Sequence, residues 1–425
     1  ASSKNVDRCR KIGIKVFKSH KKENIYNTSI LVKSSAIKSN NPEIKAAKEK
    51  KINILKRAEM LAHVVSLKKN IVITGSHGKT TTTSLISNIL SAAKYDPTII
   101  NGGIINSFNS NARLGKGNWA VLEADESDGS FLNFPVNYSV VTNVDKEHME
   151  FYKNFDNLKK SFLKFLNKTP LFGKSFVCTD DYEINKLMKK VENRNFYTYG
   201  FSKNADFQAL NIKYKKKYSV YDLRLPLRGR KKIIVKNIKL NLIGAHNVLN
   251  SLAAVSLSLH IGIKMNIIKK SLKRFSGIQR RLTKVFQVYK REFYDDYAHH
   301  PTEIKAVIDG ARDVYLNRKI ICVFQPHRYS RVKALRNEFA KSFVKCDSVV
   351  LCPVYPAGEK ISYNFDQIKF SKLILNKSKV QVINIFNQNE LKKYFKQNLN
   401  ENEIVICMGA GSISSWIREI GSNLK

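Results

Sequence analysis

Several short stretches of this 425-residue chain concentrate residue types that carry chemistry. The first ends in Gly75-Ser76-His77-Gly78-Lys79-Thr80-Thr81. Ile71 to Ile73 before it are β-branched and apolar, as in a buried parallel strand, while Leu85, Ile86, Ile89, Leu90 and Ala93 recur after it at helical spacing. A glycine loop between strand and helix turns its N–H groups inward and adds the positive potential of the helix start. Lys79 can then reach terminal phosphates and Thr80 can ligate Mg²⁺, which describes a nucleoside-triphosphate site. The general P-loop pattern wants a glycine five residues before Gly78, where this chain has Ile73. The loop is therefore a shorter variant, and an ordinary strand-turn-helix is the alternative.

Four further stretches follow strands. Glu123-Ala124-Asp125-Glu126-Ser127-Asp128 crowds four carboxylates together, either a solvated acidic turn or a Mg²⁺ site. Asn143 to His148 ends another strand with Asp145, Glu147 and His148, the last a candidate for a further metal ion. Asp295-Asp296-Tyr297-Ala298-His299-His300-Pro301 leads into a helix. Its histidines could serve helix capping and its aspartates ribose hydroxyls, and the pattern does not separate the two. Phe324-Gln325-Pro326-His327-Arg328-Tyr329-Ser330-Arg331 presents a forked cationic surface suited to carboxylate or phosphate, with a basic turn as the alternative.

The elements that must position these residues fall into three units. Residues 1–70 alternate expected strands (15–17, 30–33, 53–55) with helices (42–50, 57–65), implying a parallel sheet. Residues 71–276 surround the glycine loop with strands at 120–123 and 139–144. Strand C-terminal ends in a parallel sheet share one edge, which predicts that Lys79, Glu123 and His148 converge. Alternating residues from Asp206 to Leu242 predict antiparallel strands added to that core. Residues 277–425 place strands at 320–324, 348–352, 380–386 and 404–408 between helices, a doubly wound sheet with a hinge at 277–281. The fold class is α/β throughout.

Composition narrows the function classes. The net charge of +41 invites a nucleic-acid reading, but its 57 Lys and 18 Arg are spread along the whole chain and form no binding stripe. We expect no specific nucleic-acid partner, and charge that attracts anionic substrates. Six scattered cysteines show no C-x-x-C pair, which fits a reducing cytoplasm. No apolar run approaches the ~20 residues that span a bilayer.

Taken in order, GSHGKTTTT, EADESDGSFL, NVDKEHMEFY, GAHNVLNSLAA, GIQRRL, DDYAHHPTEI, FQPHRYSR, PVYPAGE and MGAG occur as they do in the Mur ligases, which the chain resembles over nearly its full length. The resemblance is strongest to members that add L-alanine to UDP-N-acetylmuramate in peptidoglycan biosynthesis. It implies a three-domain architecture of a Rossmann-like N-terminal domain, a P-loop ATPase-like central domain and a Rossmann-like C-terminal domain. ATP would phosphorylate the lactyl carboxylate, and the alanine amine would attack the acyl phosphate.

By this resemblance the backbone of Gly75 to Thr81 and Lys79 hold the ATP phosphates, Thr80 and Glu123 ligate Mg²⁺, and His148 ligates a second ion. Asn247 faces adenine, Arg281 the phosphates and Asp296 the ribose. Ser35, Tyr297, His327, Arg328 and Arg331 line the substrate side, with Lys79, His148 and Arg331 catalytic. The family's N-terminal glycine-rich strand-loop-helix, which binds the UDP diphosphate, is not found in this sequence. The expectation is retained nucleotide binding with most ligase activity lost. Full steady-state phosphate release on UDP-N-acetylmuramate would refute it. Oligomeric state is not legible. A recycling ligase that joins a ready-made tripeptide to the same sugar is the nearest rival, and a plain P-loop ATPase a more distant one.

Overall fold

The computed structural model of the chain describes residues 4–34, 36–192, 195–226, 232–360 and 365–422, whose strands form three sheets. The first sheet is a parallel pair, Ile30–Lys33 beside Asn53–Lys56. Helix Pro42–Glu49 packs on it through Ala46 and Ala47, started by Pro42 and capped by Asn41, whose side chain accepts from the Glu43 N–H. The strand expected at 15–17 does not form. These residues join no ladder, and Ile14 and Phe17 stay exposed. The run is only three residues long, pairs with neither edge of the first sheet and has no face to bury. A helix at Lys4–Lys11 and a 3₁₀ turn at Lys22–Ile25, which periodicity did not signal, flank it.

The second sheet has ten strands and carries the glycine loop near its middle. Strand Lys69–Thr74 lies between Tyr138–Val141 and Trp119–Glu123, parallel to both. Its apolar residues are fully buried, as are Leu85, Ile86, Ile89 and Leu90 of the following helix Lys79–Ala92. Each such side chain contributes about 1.5–3 kcal/mol of burial energy, which holds the loop between two fixed elements. Strand Tyr138–Val141 stops three residues short of the expected end. Thr142 Oγ1 donates to the His77 carbonyl at 2.6 Å and the His77 N–H donates to Asn143 Oδ1 at 2.8 Å, so these residues leave the ladder to brace the loop. The alternating interval forms Phe207–Lys215, Tyr218–Pro226 and Lys232–Leu240, paired antiparallel as expected.

The third sheet runs Thr283–Val288, Arg291–Asp296, Ile404–Met408, Ile320–Phe324, Ser348–Leu351 and Gln381–Asn384, parallel except for its first pair. Alternation along Ile320–Phe324 divides two cores: Ile320, Cys322 and Phe324 enter one, Ile321 and Val323 the other. That is a sheet covered on both faces. The hinge stretch is fastened at both ends. Ile278 bridges to Ile105 of the second sheet, and Arg280 Nη2 donates to the Gly409 carbonyl of the third at 2.6 Å.

Glu292 anchors the third sheet. Its carboxylate accepts from Arg318 at 2.5 Å, Tyr294 at 2.9 Å and Lys284 at 3.0 Å, and Lys216 of the second sheet lies 3.4 Å away. Burial alone would raise its pKa, but these partners bring it down to about 2. A depressed folded pKa contributes stability that is fully present above the unfolded value of ~4.5 and lost as pH falls through about 2. We expect an acid unfolding phase in that window which Glu292→Gln removes, read by circular dichroism across pH. An unchanged acid profile in the variant would show that Glu292 is not its source.

Among the described residues no helix is long and apolar enough to cross a membrane. All six cysteines are free.

Candidate active site

The loop's geometry depends on its glycines. Gly75 has φ +131° and Gly78, which caps the helix, φ +82°. A Cβ at Gly75 would lie 2.1 Å from Thr142 Oγ1, and one at Gly78 2.4 Å from Asn250 Oδ1. Both positions need the left-handed region and close backbone approach, which only glycine accepts freely. Ser76 Oγ accepts from the Asp145 N–H at 2.8 Å and so ties the loop to the neighbouring strand end.

The four carboxylates from Glu123 to Asp128 divide into separate tasks. Glu123 accepts from Thr80 Oγ1 at 2.9 Å and from the Gly102 N–H at 2.6 Å, setting Thr80 and Glu123 side by side. Asp125 and Asp128 close local turns by accepting from the Ser127 and Ser130 N–H groups. Glu126, wholly buried, accepts from Lys79 Nζ at 2.7 Å. Lys79 also donates to the Gly75 carbonyl at 2.6 Å and the Ser76 carbonyl at 3.1 Å, so its ammonium curls under the loop. Burial works against the Lys79 charge, but Glu126 and Asp125 outweigh it and hold the lysine protonated. Burial, with Asp125 and Glu147, pushes Glu126 up to about 7 despite Lys79.

His148, in a left-handed conformation at φ +57°, places Nε2 3.7 Å from the second Glu126 oxygen. That oxygen is buried without a hydrogen-bond partner among the described residues. Burial lowers the His148 pKa and Lys79 adds to this, against Glu147 and Asp125, which keeps the imidazole neutral and able to ligate. An orphaned carboxylate oxygen, a neutral histidine and the Thr80–Glu123 pair suit divalent cations. Lys79, Glu123 and His148 do converge on one sheet edge. The link is Glu126, which had been one acid among four in the sequence.

Thr81, Gly78 and His77 line a cavity of about 970 Å³ together with Asn247, Arg281 and Asp296. Its size is that of a nucleotide-sized site. Asn247 is held by donating to the Ile243 carbonyl at 2.8 Å, and Arg281 Nη1 lies 4.0 Å from Glu303. The two aspartates of Asp295-Asp296 part company. Asp295 accepts from Ser414 and pairs with Arg418 at 2.8 Å on helix Ile413–Ser422, away from the cavity. Asp296 faces the cavity and accepts from the Leu282 and Ala298 N–H groups. Burial raises it to about 6 against Arg281. Helix capping falls to Glu303, which accepts from the His299 N–H at 3.1 Å, and the side chain of the cap residue His300 gives no capping bond.

The start of helix Pro301–Arg312 also meets the glycine loop. His77 Nε2 bonds Asp145 at 2.9 Å, its Nδ1 lies 3.5 Å from Glu303, and Thr302 donates to Asp145 at 2.6 Å. Burial would lower the His77 pKa, but Asp145 and Glu303 raise it to about 10. Sequence reading missed Glu303 as a partner of the loop. A Pro-Thr-Glu helix start was the available signal.

A third group lies beyond His299. The Tyr297 and His299 rings are 5.1 Å apart, His299 and His327 5.7 Å, and His327 stacks on Tyr355 at 5.6 Å. Arg331 Nη1 donates to His327 Nδ1 at 3.3 Å, and Arg328 reaches Glu150 of the second sheet's unit at 3.8 Å. Burial, with His299 and the two arginines, pushes His327 down to about 4. Ser35 lies outside the described residues.

Comparison with known proteins places this geometry. Residues 73–258 match the Mur ligase middle domain, 280–411 the Mur ligase glutamate ligase domain, and 1–69 the Mur ligase family catalytic domain. The UDP-N-acetylmuramate–L-alanine ligase of Pelagibacter ubique is 52% identical over 418 residues, covering 98% of this chain and 90% of its own length. That of Agrobacterium fabrum is 40% identical over all of this chain and 90% of its own. The crystal structure of the UDP-N-acetylmuramate–alanine ligase of Thermotoga maritima superposes with a TM-score of 0.80 at 27% identity, covering 100% of this chain and 91% of that one. The chain therefore belongs to the Mur ligase family.

Proposed function

We propose that this chain is an ATP-dependent ligase joining L-alanine to the lactyl carboxylate of UDP-N-acetylmuramate, a step of peptidoglycan biosynthesis. The observation that carries the reading is the meeting of loop residues His77, Gly78 and Thr81 with Asn247, Arg281 and Asp296 around one nucleotide-sized cavity, with the Tyr297–His327–Arg331 group beyond it. The shared sequence of the alanine-adding relatives supports the choice of substrates. The division of labour we assign is 1–70 to the UDP-sugar, 71–276 to ATP, and 277–425 to the amino acid and the far side of the nucleotide.

In the first step a lactyl carboxylate oxygen attacks the γ-phosphorus and ADP leaves. In the second the alanine nitrogen attacks the acyl carbon, and the tetrahedral intermediate expels phosphate and a proton. The protein's part is positioning and charge neutralisation. The backbone N–H groups of Gly75 to Thr81 and Lys79 grip the phosphates, with Arg281 alongside. Asn247 meets adenine. Asp296 spends one lone pair of each oxygen on backbone and keeps others for ribose hydroxyls. Tyr297, His327, Arg328 and Arg331 receive alanine and the muramoyl group, and the two arginines suit carboxylates. Thr80, Glu123 and His148 would hold Mg²⁺, which neutralises phosphate charge. Use of ATP and six free cysteines support a cytoplasmic setting.

Phosphate release from ATP in the presence of UDP-N-acetylmuramate tests this reading through its amino-acid dependence, whatever the absolute rate. Release should require L-alanine. Stimulation by a tripeptide alone would make the chain a recycling ligase, and release without any amino acid would make it an ATPase. Glu123→Gln should raise the Mg²⁺ concentration for half-maximal nucleotide binding beyond the roughly 10–100-fold seen when a second-layer partner of a metal is lost. A variant with an unchanged Mg²⁺ requirement would remove Glu123 from the site.

A further inference from the structure

His77, Glu147 and His300 come from three separate segments: the glycine loop, the turn after Tyr138–Val141, and the residue that opens helix Pro301–Arg312. Each offers one donor atom, and the three atoms lie within 4.8 Å of one another. His300 is only 3% exposed, and neither of its ring nitrogens has a hydrogen-bond partner among the described residues. An Asp145 oxygen stands 3.6 Å from its Nδ1, outside hydrogen-bond reach. A buried polar group left so is costly, and helix capping, the ordinary task at this position, does not use the ring.

The surroundings are those of a metal ligand set. Asp145 takes His77 Nε2 at 2.9 Å and orients the ring, the usual carboxylate–histidine–metal relation, while Nδ1 makes no hydrogen bond among the described residues and has Glu303 3.5 Å away. Glu147 is 8% exposed. Two imidazoles and one carboxylate with an open fourth position suit zinc, whereas magnesium prefers oxygen and its own water.

We propose that His77, Glu147 and His300 form a transition-metal site of the zinc class, with donors other than the Mg²⁺ residues Thr80, Glu123 and His148, the Glu147 carboxylate lying 3.8 Å from His148 Nε2. An ion there fastens the helix start of the third unit to the glycine loop of the second. Donor atoms around tetrahedral zinc stand roughly 3.3–3.4 Å apart, since Zn–N bonds are about 2.0–2.1 Å, so the set must close by about 1.5 Å at most. Side-chain movement must supply this, and the His300 ring can move without breaking a hydrogen bond among the described residues.

The test is metal content of the full chain, which does not depend on ligase activity. Metal-free protein is equilibrated with Zn²⁺, dialysed against a weak chelator, and its zinc measured by plasma emission. Wild type and Glu123→Gln should each retain one zinc per chain, while His300→Ala and Glu147→Gln retain none. Thermal unfolding without metal checks that each variant folds. On the wild type alone, Co²⁺ should give the intense visible bands of a four-coordinate site. A wild type that retains no zinc and shows no such bands would overturn the proposal, as would equal zinc in folded His300→Ala and wild type.

Discussion

Lys79→Ala is expected to abolish ATP binding and to lower stability by about 3–5 kcal/mol, because it strips a fully buried carboxylate of its partner. The two losses have different origins. The ammonium lies 2.7 Å from Glu126 and also donates to two loop carbonyls, so its removal unpairs a charge and loosens the loop together. With Lys79 gone, burial drives Glu126 further upward from about 7, and it enters the folded state protonated. Adding Glu126→Gln to Lys79→Met should therefore restore most of the stability without restoring ATP binding. Urea denaturation reads the first quantity and a fluorescent ATP analogue the second. A Lys79→Ala protein as stable as wild type would mean that Glu126 carries no charge needing compensation. ATP binding by the double variant would remove Lys79 from the phosphate site.

The second large effect falls on Gly75→Ala. A Cβ there meets Thr142 Oγ1 at 2.1 Å and the Asn143 carbonyl at 3.0 Å, on a backbone at φ +131°. Backbone strain of about 1–3 kcal/mol and overpacking of about 1–3 kcal/mol act together, so the expected destabilisation is roughly 2–6 kcal/mol with loss of nucleotide affinity. The contributions separate. Thr142→Ala in the Gly75→Ala background removes the closest clash and should recover part of the stability, leaving the strain. Thermal unfolding of the single and double variants checks this. No recovery in the double variant would put the whole cost on the backbone and the Asn143 carbonyl.

Much of the fold was legible because its signals are local. A β-branched run ending in glycine, followed by apolar residues at helical spacing, has one economical solution, and Lys69–Thr74 with Lys79–Ala92 adopts it. Alternation between Asp206 and Leu242 likewise produced its antiparallel strands. Where a local signal lacked a partner it failed, as at residues 15–17, which pair with neither edge of the first sheet. Strand ends could be named, but not how far Tyr138–Val141 would run, since its last expected residues are drawn off to brace the loop.

The sequence by itself determined which residues could do chemistry and which strand ends they follow, since residue type and spacing decide both. Tertiary structure decided their partners. Lys79 meets Glu126, 47 positions on, while Thr80 meets Glu123, because successive residues of a helix start point to different sides. Asp295 and Asp296 differ by one position, yet one faces helix Ile413–Ser422 and the other the cavity, because a strand alternates its faces. His77 finds Glu303 and lies beside His300 only because the third unit is docked on the second. No local pattern encodes a contact between segments more than two hundred residues apart; packing of the units creates it.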